Sequence, residues 1–495
     1  MAPDLVNRSA TDLARAIRDR ELSPVEVVNA HLDRIEDRTD DVNAFITVMP
    51  ERARQAAHEA QAALAAGEDV GPLHGVPVAI KDSTAVADVP LTYGSQVLAD
   101  YVPSHDAAIV HRLREAGAIV IGKTNLSEFA MYSGTYNKLV GATGNPFDLV
   151  KTTAGSSGGS AAAVADGQVP LAHGTDGGGS LRMPASACGV FTIKPTFGVI
   201  GNHTPGRVDA FWHTPMLSHG PFARTVEDAA LMLDVMAGPH PRDPFSAPTH
   251  GRDYLEATQN PTSNFEIAYS PALDLYPIDP AVRSVVDAAM ATIDAMGGTV
   301  SEATLDFEYP REEITNCFML GSAVLAAERA EQIKEAHGID LLGEDRHAIL
   351  SYLHEQFEHG FEPTAVEYQR SDEVRTSVYD TVQDVLDDFD LLACATLLIP
   401  PFDNRVHEDR PGPVSVGDTR IDTYRWGPLI DWRTTQIFNM TGHPAASIPA
   451  GFTAEGLPVG LQLVGDRFED EKVLAAAAAY EELNPWRDKY PFAQR

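Results

Sequence analysis

Cysteine is nearly absent: Cys188, Cys317 and Cys394 are the three in 495 residues, far apart and without CxxC spacing. Three such thiols cannot build a disulfide framework or a thiolate metal cage, and they read as reduced, buried side chains of a cytoplasmic protein. No HExxH or comparable ligand spacing occurs, so a zinc hydrolase has no support, and neither a metal nor an organic cofactor is expected. Long apolar runs and an N-terminal apolar leader segment are also missing, so neither a membrane span nor a secretory signal is expected. Basic charge is the next scarcity. Against 71 acidic residues stand 37 basic ones, and the formal net charge of −34 opposes nucleic acids and anionic lipid surfaces as partners. Only 8 of the basic residues are lysine: Lys81, Lys123, Lys138, Lys151, Lys194, Lys334, Lys472 and Lys489.

What is present is ordinary globular material, 44% hydrophobic and 22% charged. The length is compatible with about three domains of ordinary size, or with a single large α/β unit. Residues 1–67 read as helices. Ser23-Pro24-Val25-Glu26 is a capping box with proline at the first helical position, and Gly67 stops the alanine-rich stretch from Glu51 to Ala66. Val76–Ile80 is a short apolar strand ending in Lys81-Asp82; a helix over 106–116 then leads to the strand 118–121. Helices are expected over 226–237 and 280–296, with a strand over 265–269 between them. Residues 308–385 form a charged helical excursion, and strands over 391–399, 445–448 and 459–464 return to the sheet. No repeat or long linker divides the chain. The expected architecture is one domain over 1–495, a three-layer α/β/α arrangement with helical decoration and a core over 70–240.

Two familiar patterns point in other directions. Gly117 to Thr124 spells GxxxxGKT, yet the residues between the glycines are β-branched and apolar, so a strand is expected there rather than a phosphate loop around Lys123. Gly155-Ser156-Ser157-Gly158-Gly159 contains GxSxG, which would make Ser157 an α/β-hydrolase nucleophile, but the preceding 149–154 is a poor core strand.

The stronger signal is longer. Gly155 to Ala165, Gly174-Thr175-Asp176-Gly177-Gly178-Gly179-Ser180-Leu181-Arg182 and Ile193 to Thr196 form one glycine- and serine-rich stretch over 155–196. Consecutive glycines let backbone amides converge beside the Ser180 hydroxyl, the parts of an oxyanion hole and a nucleophile. This stretch resembles the amidase signature family, as do 75–82, 122–131, 144–147, 220–225, 438–444 and 456–462. The resemblance implies a central mixed sheet and a serine hydrolase that cuts amide bonds through an acyl-enzyme. By motif position Ser180 is the nucleophile, Ser156 the bridging serine behind a cis peptide bond, and Lys81 the base. Gly177, Gly178, Gly179 and Ser180 would supply the oxyanion amides, with Ser157, Asp176 and Arg182 in support. Met131 and Tyr132 fall in a segment that lines the acyl pocket of relatives; Phe211, Trp212 and Trp432 are weaker candidates, for which core packing is the plainer reading. The family usually has threonine or isoleucine where this chain has Gly177, so a wider pocket is expected.

Lys81 also meets a physical requirement. A lysine base must be neutral, and burial at the end of an apolar strand lowers its pKa in the required direction. The expected partner is a small-molecule amide, with a homodimer left open. An A subunit of glutamyl-tRNA amidotransferase is the alternative within the family, although 318–327 lacks the tyrosines of that subfamily. Acid excess with arginine favoured over lysine leads to the further expectation of a salt-tolerant enzyme.

Overall fold

The computed structural model describes residues 2–205, 216–248, 252–295, 297–404, 412–413, 415–421 and 430–492. In chain order the strands are β1 (Phe45–Val48), β2 (Pro77–Lys81), β3 (Ile119–Thr124), β4 (Gly144–Asn145), β5 (Asp148–Thr152), β6 (Leu171–Asp176), β7 (Phe191–Lys194) and β8 (Ser218–Ala223). They continue as β9 (Glu266–Tyr269), β10 (Thr299–Glu302), β11 (Leu391–Ala395), β12 (Ser415–Val416), β13 (Thr419–Arg420), β14 (Ala445–Phe452) and β15 (Pro458–Gly465). Eleven of them form one sheet in the order β1-β3-β2-β6-β8-β7-β14-β15-β11-β9-β10. It is mixed: β2 runs parallel to β3 and β6, whereas β8, β7, β14 and β15 pair antiparallel with their neighbours.

Every residue of β2, β3, β6, β7, β8, β11 and β15 is buried, the condition of strands covered on both faces. The edge strands β1 and β10 are only partly buried. The helix Gly158–Ala165 packs on β2, β3, β6 and β8, and the helix Arg182–Cys188 on β7, β14 and β15.

The mixed α/β fold is as expected, and so are most of its elements. The capping box at Ser23 forms, with both reciprocal hydrogen bonds. Residues 119–124, including the GKT letters, are strand β3 and not a phosphate loop. The excursion consists of the helices Arg311–His337, Ser351–His359 and Ala365–Asp388.

Two boundaries need correction. Residues 1–67 are not all helical: Phe45–Val48 is strand β1, paired antiparallel with β3. Its β-branched residues sit between Asn43, a left-handed helix cap, and Pro50, which opens the next helix, so the strand is too short to show a period. The strand expected over 391–399 ends at Ala395, after which Leu397 makes an isolated bridge to Arg433. Among the described residues no helix is long and apolar enough to cross a membrane, and all three cysteines are free and buried.

Candidate active site

Strand β2 ends with Lys81 and is flanked by two parallel strands, so the lysine side chain has no exit to solvent and is fully buried. Its Nζ donates to Ser156 Oγ at 2.6 Å and to Thr175 Oγ1 at 2.8 Å. Both partners are neutral. Burial therefore dominates: it lowers the Lys81 pKa from 10.5 to about 7, with Asp176 opposing the shift and Arg329 adding to it. Ser156 follows a cis Gly155–Ser156 peptide bond and lies at the turn into the helix Gly158–Ala165.

Strand β6 ends at Asp176, and the glycine loop that follows carries Ser180. Asp176 organises this loop. Its carboxylate accepts from the amides of Gly179 at 2.6 Å and Leu181 at 3.2 Å, from Arg182 Nε and NH2 at 3.0 Å, and from Asn439 Nδ2 at 2.8 Å. Burial alone would raise its pKa, but the Arg182 charge and these hydrogen bonds hold it well below the usual carboxylate range. Arg182 also donates to Gln462 at 2.7 Å and to Asn439 at 2.6 Å, which ties the loop to the C-terminal segments.

The three loop glycines differ in what they tolerate. A Cβ on Gly178 would lie 2.5 Å from Phe318 Cζ, and one on Gly179, at φ +123, would lie 2.0 Å from Thr435 Oγ1. On Gly177 it would meet only Leu217 Cδ1 at 3.8 Å, so the missing side chain leaves open space on the cavity wall.

That wall encloses a cavity of about 740 Å³ in which Ser180, Ser156, Thr175, Gly177 and Gly178 meet Met131 and Tyr132. Phe318, Met319, Ser322 and Leu325 of the helix Arg311–His337 close it from the excursion. The amides of Gly177, Gly178 and Ser180 donate to no described residue and remain available.

Three expectations change. Gly179 leaves the set of oxyanion amides, because its N–H is already given to Asp176. Ser157 is fully buried outside the cavity lining, and its Oγ donates to the Thr175 carbonyl at 3.2 Å. It supports strand β6, and the GxSxG reading falls. Trp432 is fully buried against Phe402 and does not line the cavity. Phe211 and Trp212 lie outside the described residues. Thr175, Asn439 and the Phe318 wall were not singled out by the sequence. Thr175 stands inside the signature, but its contact with Lys81 depends on β2 and β6 being neighbours.

Residues 26–474 match the Amidase family. An acylamidase of Rhodococcus erythropolis is 38% identical over 98% of this chain and 97% of its own length. The glutaminase-type relative in the comparison, the A component of the glutamyl-tRNA(Gln) amidotransferase of Carboxydothermus hydrogenoformans, is 34% identical over 99% of each chain. The crystal structure of a bacterial aryl acylamidase of the amidase signature enzymes superposes with a TM-score of 0.93 at 32% identity, covering 99% of both chains. The chain belongs to the amidase signature family. It is an amide hydrolase, acting on carbon–nitrogen bonds of linear amides.

Proposed function

We propose that this amidase hydrolyses small acylamides, aliphatic or aryl, with Ser180 as nucleophile, Ser156 as proton bridge and Lys81 as base. The observation that carries the reading is the buried Lys81 Nζ at 2.6 Å from Ser156 Oγ, on the wall of the cavity that holds Ser180. As Ser180 Oγ bonds to the substrate carbonyl carbon, its proton passes to Ser156, and the Ser156 proton passes to neutral Lys81. The carbonyl oxygen takes up the negative charge and is met by the free amides of Gly177, Gly178 and Ser180. The proton returns through Ser156 to the leaving nitrogen as the carbon–nitrogen bond breaks. Water then attacks the ester by the same relay, releasing the acid and restoring Ser180.

Relatives named for acylamide substrates support the substrate class. The second reading, glutamine hydrolysis for a partner protein, is favoured by the 34% identity to the amidotransferase chain. The apolar Phe318, Met319 and Leu325 wall speaks against a site shaped for a zwitterion. Hydrolysis of 4-nitroanilides against ammonia release from glutamine separates the two. In the first assay Ser180→Ala is expected to lose about 10⁴-fold in kcat; retained activity contradicts the assignment. The three free thiols support a cytoplasmic address. The net charge of −34 supports a salt-tolerant enzyme, expected to lose thermal stability as ionic strength falls.

A further inference from the structure

The cavity holds cationic charge that the reaction does not use. Arg433 and Arg329 both line it, and Glu335, an exposed side chain, is the one carboxylate among its described lining residues. Arg433 is 5% exposed. Its NH1 donates to Ser133 Oγ at 2.9 Å and touches Met183 Sδ at 3.4 Å, and the guanidinium lies over the Phe318 ring at 5.7 Å. All three neighbours are neutral. Nε has no hydrogen-bond partner among the described residues, and no carboxylate among them comes within ion-pair distance.

The nearest acids are occupied. Asp431 pairs with Arg311 at 3.2 Å, and Asp176 with Arg182 at 3.0 Å. Both attract Arg433 only from a distance, and burial lowers its pKa to about 10, which still leaves it charged at neutral pH. Arg329 repeats the pattern: it donates to the Phe129 carbonyl at 2.8 Å and lies over the Tyr93 ring at 5.4 Å.

A buried guanidinium without a counter-ion is costly, and this chain has 71 acidic residues from which a partner could have come. None is placed beside Arg433. The planar fork matches a carboxylate bidentately, and a carboxylate entering the cavity would complete a pair that the fold leaves half made.

We propose that Arg433 anchors a carboxylate carried by the substrate, so that the preferred substrates are amides bearing an acid group in the same molecule. This rests on the amidase reading of the same cavity. The face of Arg433 on Phe318, whose ring abuts Gly178, puts the charge beside the oxyanion loop.

The test uses the full-length enzyme and two matched pairs of substrates. Glutaryl 4-nitroanilide against 5-methylhexanoyl 4-nitroanilide places the carboxylate on the acyl side. 4-Acetamidobenzoate against 4-isopropylacetanilide places it on the leaving amine. The expected result is a preference of about tenfold or more in kcat/KM for the acid of at least one pair, expressed in KM. The pair that shows it identifies the side. In Arg433→Met that preference ratio falls by about tenfold or more, while Arg433→Lys keeps part of it. Should Arg433→Met fail to fold, stronger competitive inhibition of the wild type by 4-phenylbutyrate than by 4-phenylbutanol carries the same test. Preference for the neutral member of both pairs, or an unchanged ratio in Arg433→Met, overturns the proposal. Hydrolysis of neutral anilides without preference for acids sinks this inference and leaves the amidase reading standing. Failure on all four substrates, with Ser180 unreactive, would remove both.

Discussion

Lys81 and Lys123 stand on neighbouring parallel strands, one residue apart in register, and both side chains are fully buried. Their partners separate them. Lys123 Nζ meets the Asp82 carboxylate at 2.6 Å, which opposes the lowering of its pKa by burial. Lys81 meets only the hydroxyls of Ser156 and Thr175, and burial takes its pKa to about 7. Desolvation alone does not make a base. A buried lysine beside a carboxylate stays an ammonium and serves structure, whereas one beside neutral hydroxyls gives up its proton near neutrality.

The contrast has a thermodynamic side. The folded-state pKa of Lys81 lies below its ordinary 10.5, so between about 7 and 10.5 the folded chain binds fewer protons than the unfolded chain. The penalty of burying Lys81 therefore shrinks as pH rises through that window and is fully present below it. For Lys123 the carboxylate offsets part of the same penalty at every pH where Asp82 is ionised.

Substitution should exchange the two effects. Lys81→Met is expected to lower kcat by about 10³-fold or more while leaving the folding free energy within about 1 kcal/mol, since an uncompensated buried amine is removed. Loss of stability without loss of rate would break the comparison. Lys123→Met is next in size. It strands Asp82 in the core and should cost about 3–5 kcal/mol in denaturant unfolding, with kcat of the folded fraction within about threefold. A smaller change sharpens the account. Thr175→Val removes one hydroxyl acceptor from the Lys81 ammonium, so the rising limb of the pH–rate profile should move to lower pH and kcat/KM fall roughly fivefold. A limb shifted upward would mean that Thr175 favours the neutral amine.

Part of this was legible before the structure. Lys81, Ser156 and Ser180 lie in motifs whose letters suffice to assign them, and the structure brings them to one cavity. The strand reading of Gly117 to Thr124 followed from β-branched residues in place of a phosphate loop. What escaped depends on which distant segments become neighbours. Thr175 reads as an ordinary strand former until β6 is placed beside β2. Gly179 looks like its neighbours Gly177 and Gly178 until Asp176 takes its amide. Arg433 is one arginine among many until its buried surroundings prove to be a hydroxyl, a thioether and a ring. Strand β1 is four residues between two helices, too few to announce a period.

The central claim is that a desolvated lysine activates Ser180 through Ser156. It is tested most directly by the rate and site of fluorophosphonate labelling, followed from mildly acidic to alkaline pH with peptide mapping of the modified serine. The account predicts modification of Ser180, at a rate that rises as Lys81 loses its proton around pH 7 and that collapses in Lys81→Met. Labelling of Ser157, or a rate that ignores both pH and Lys81, would contradict it.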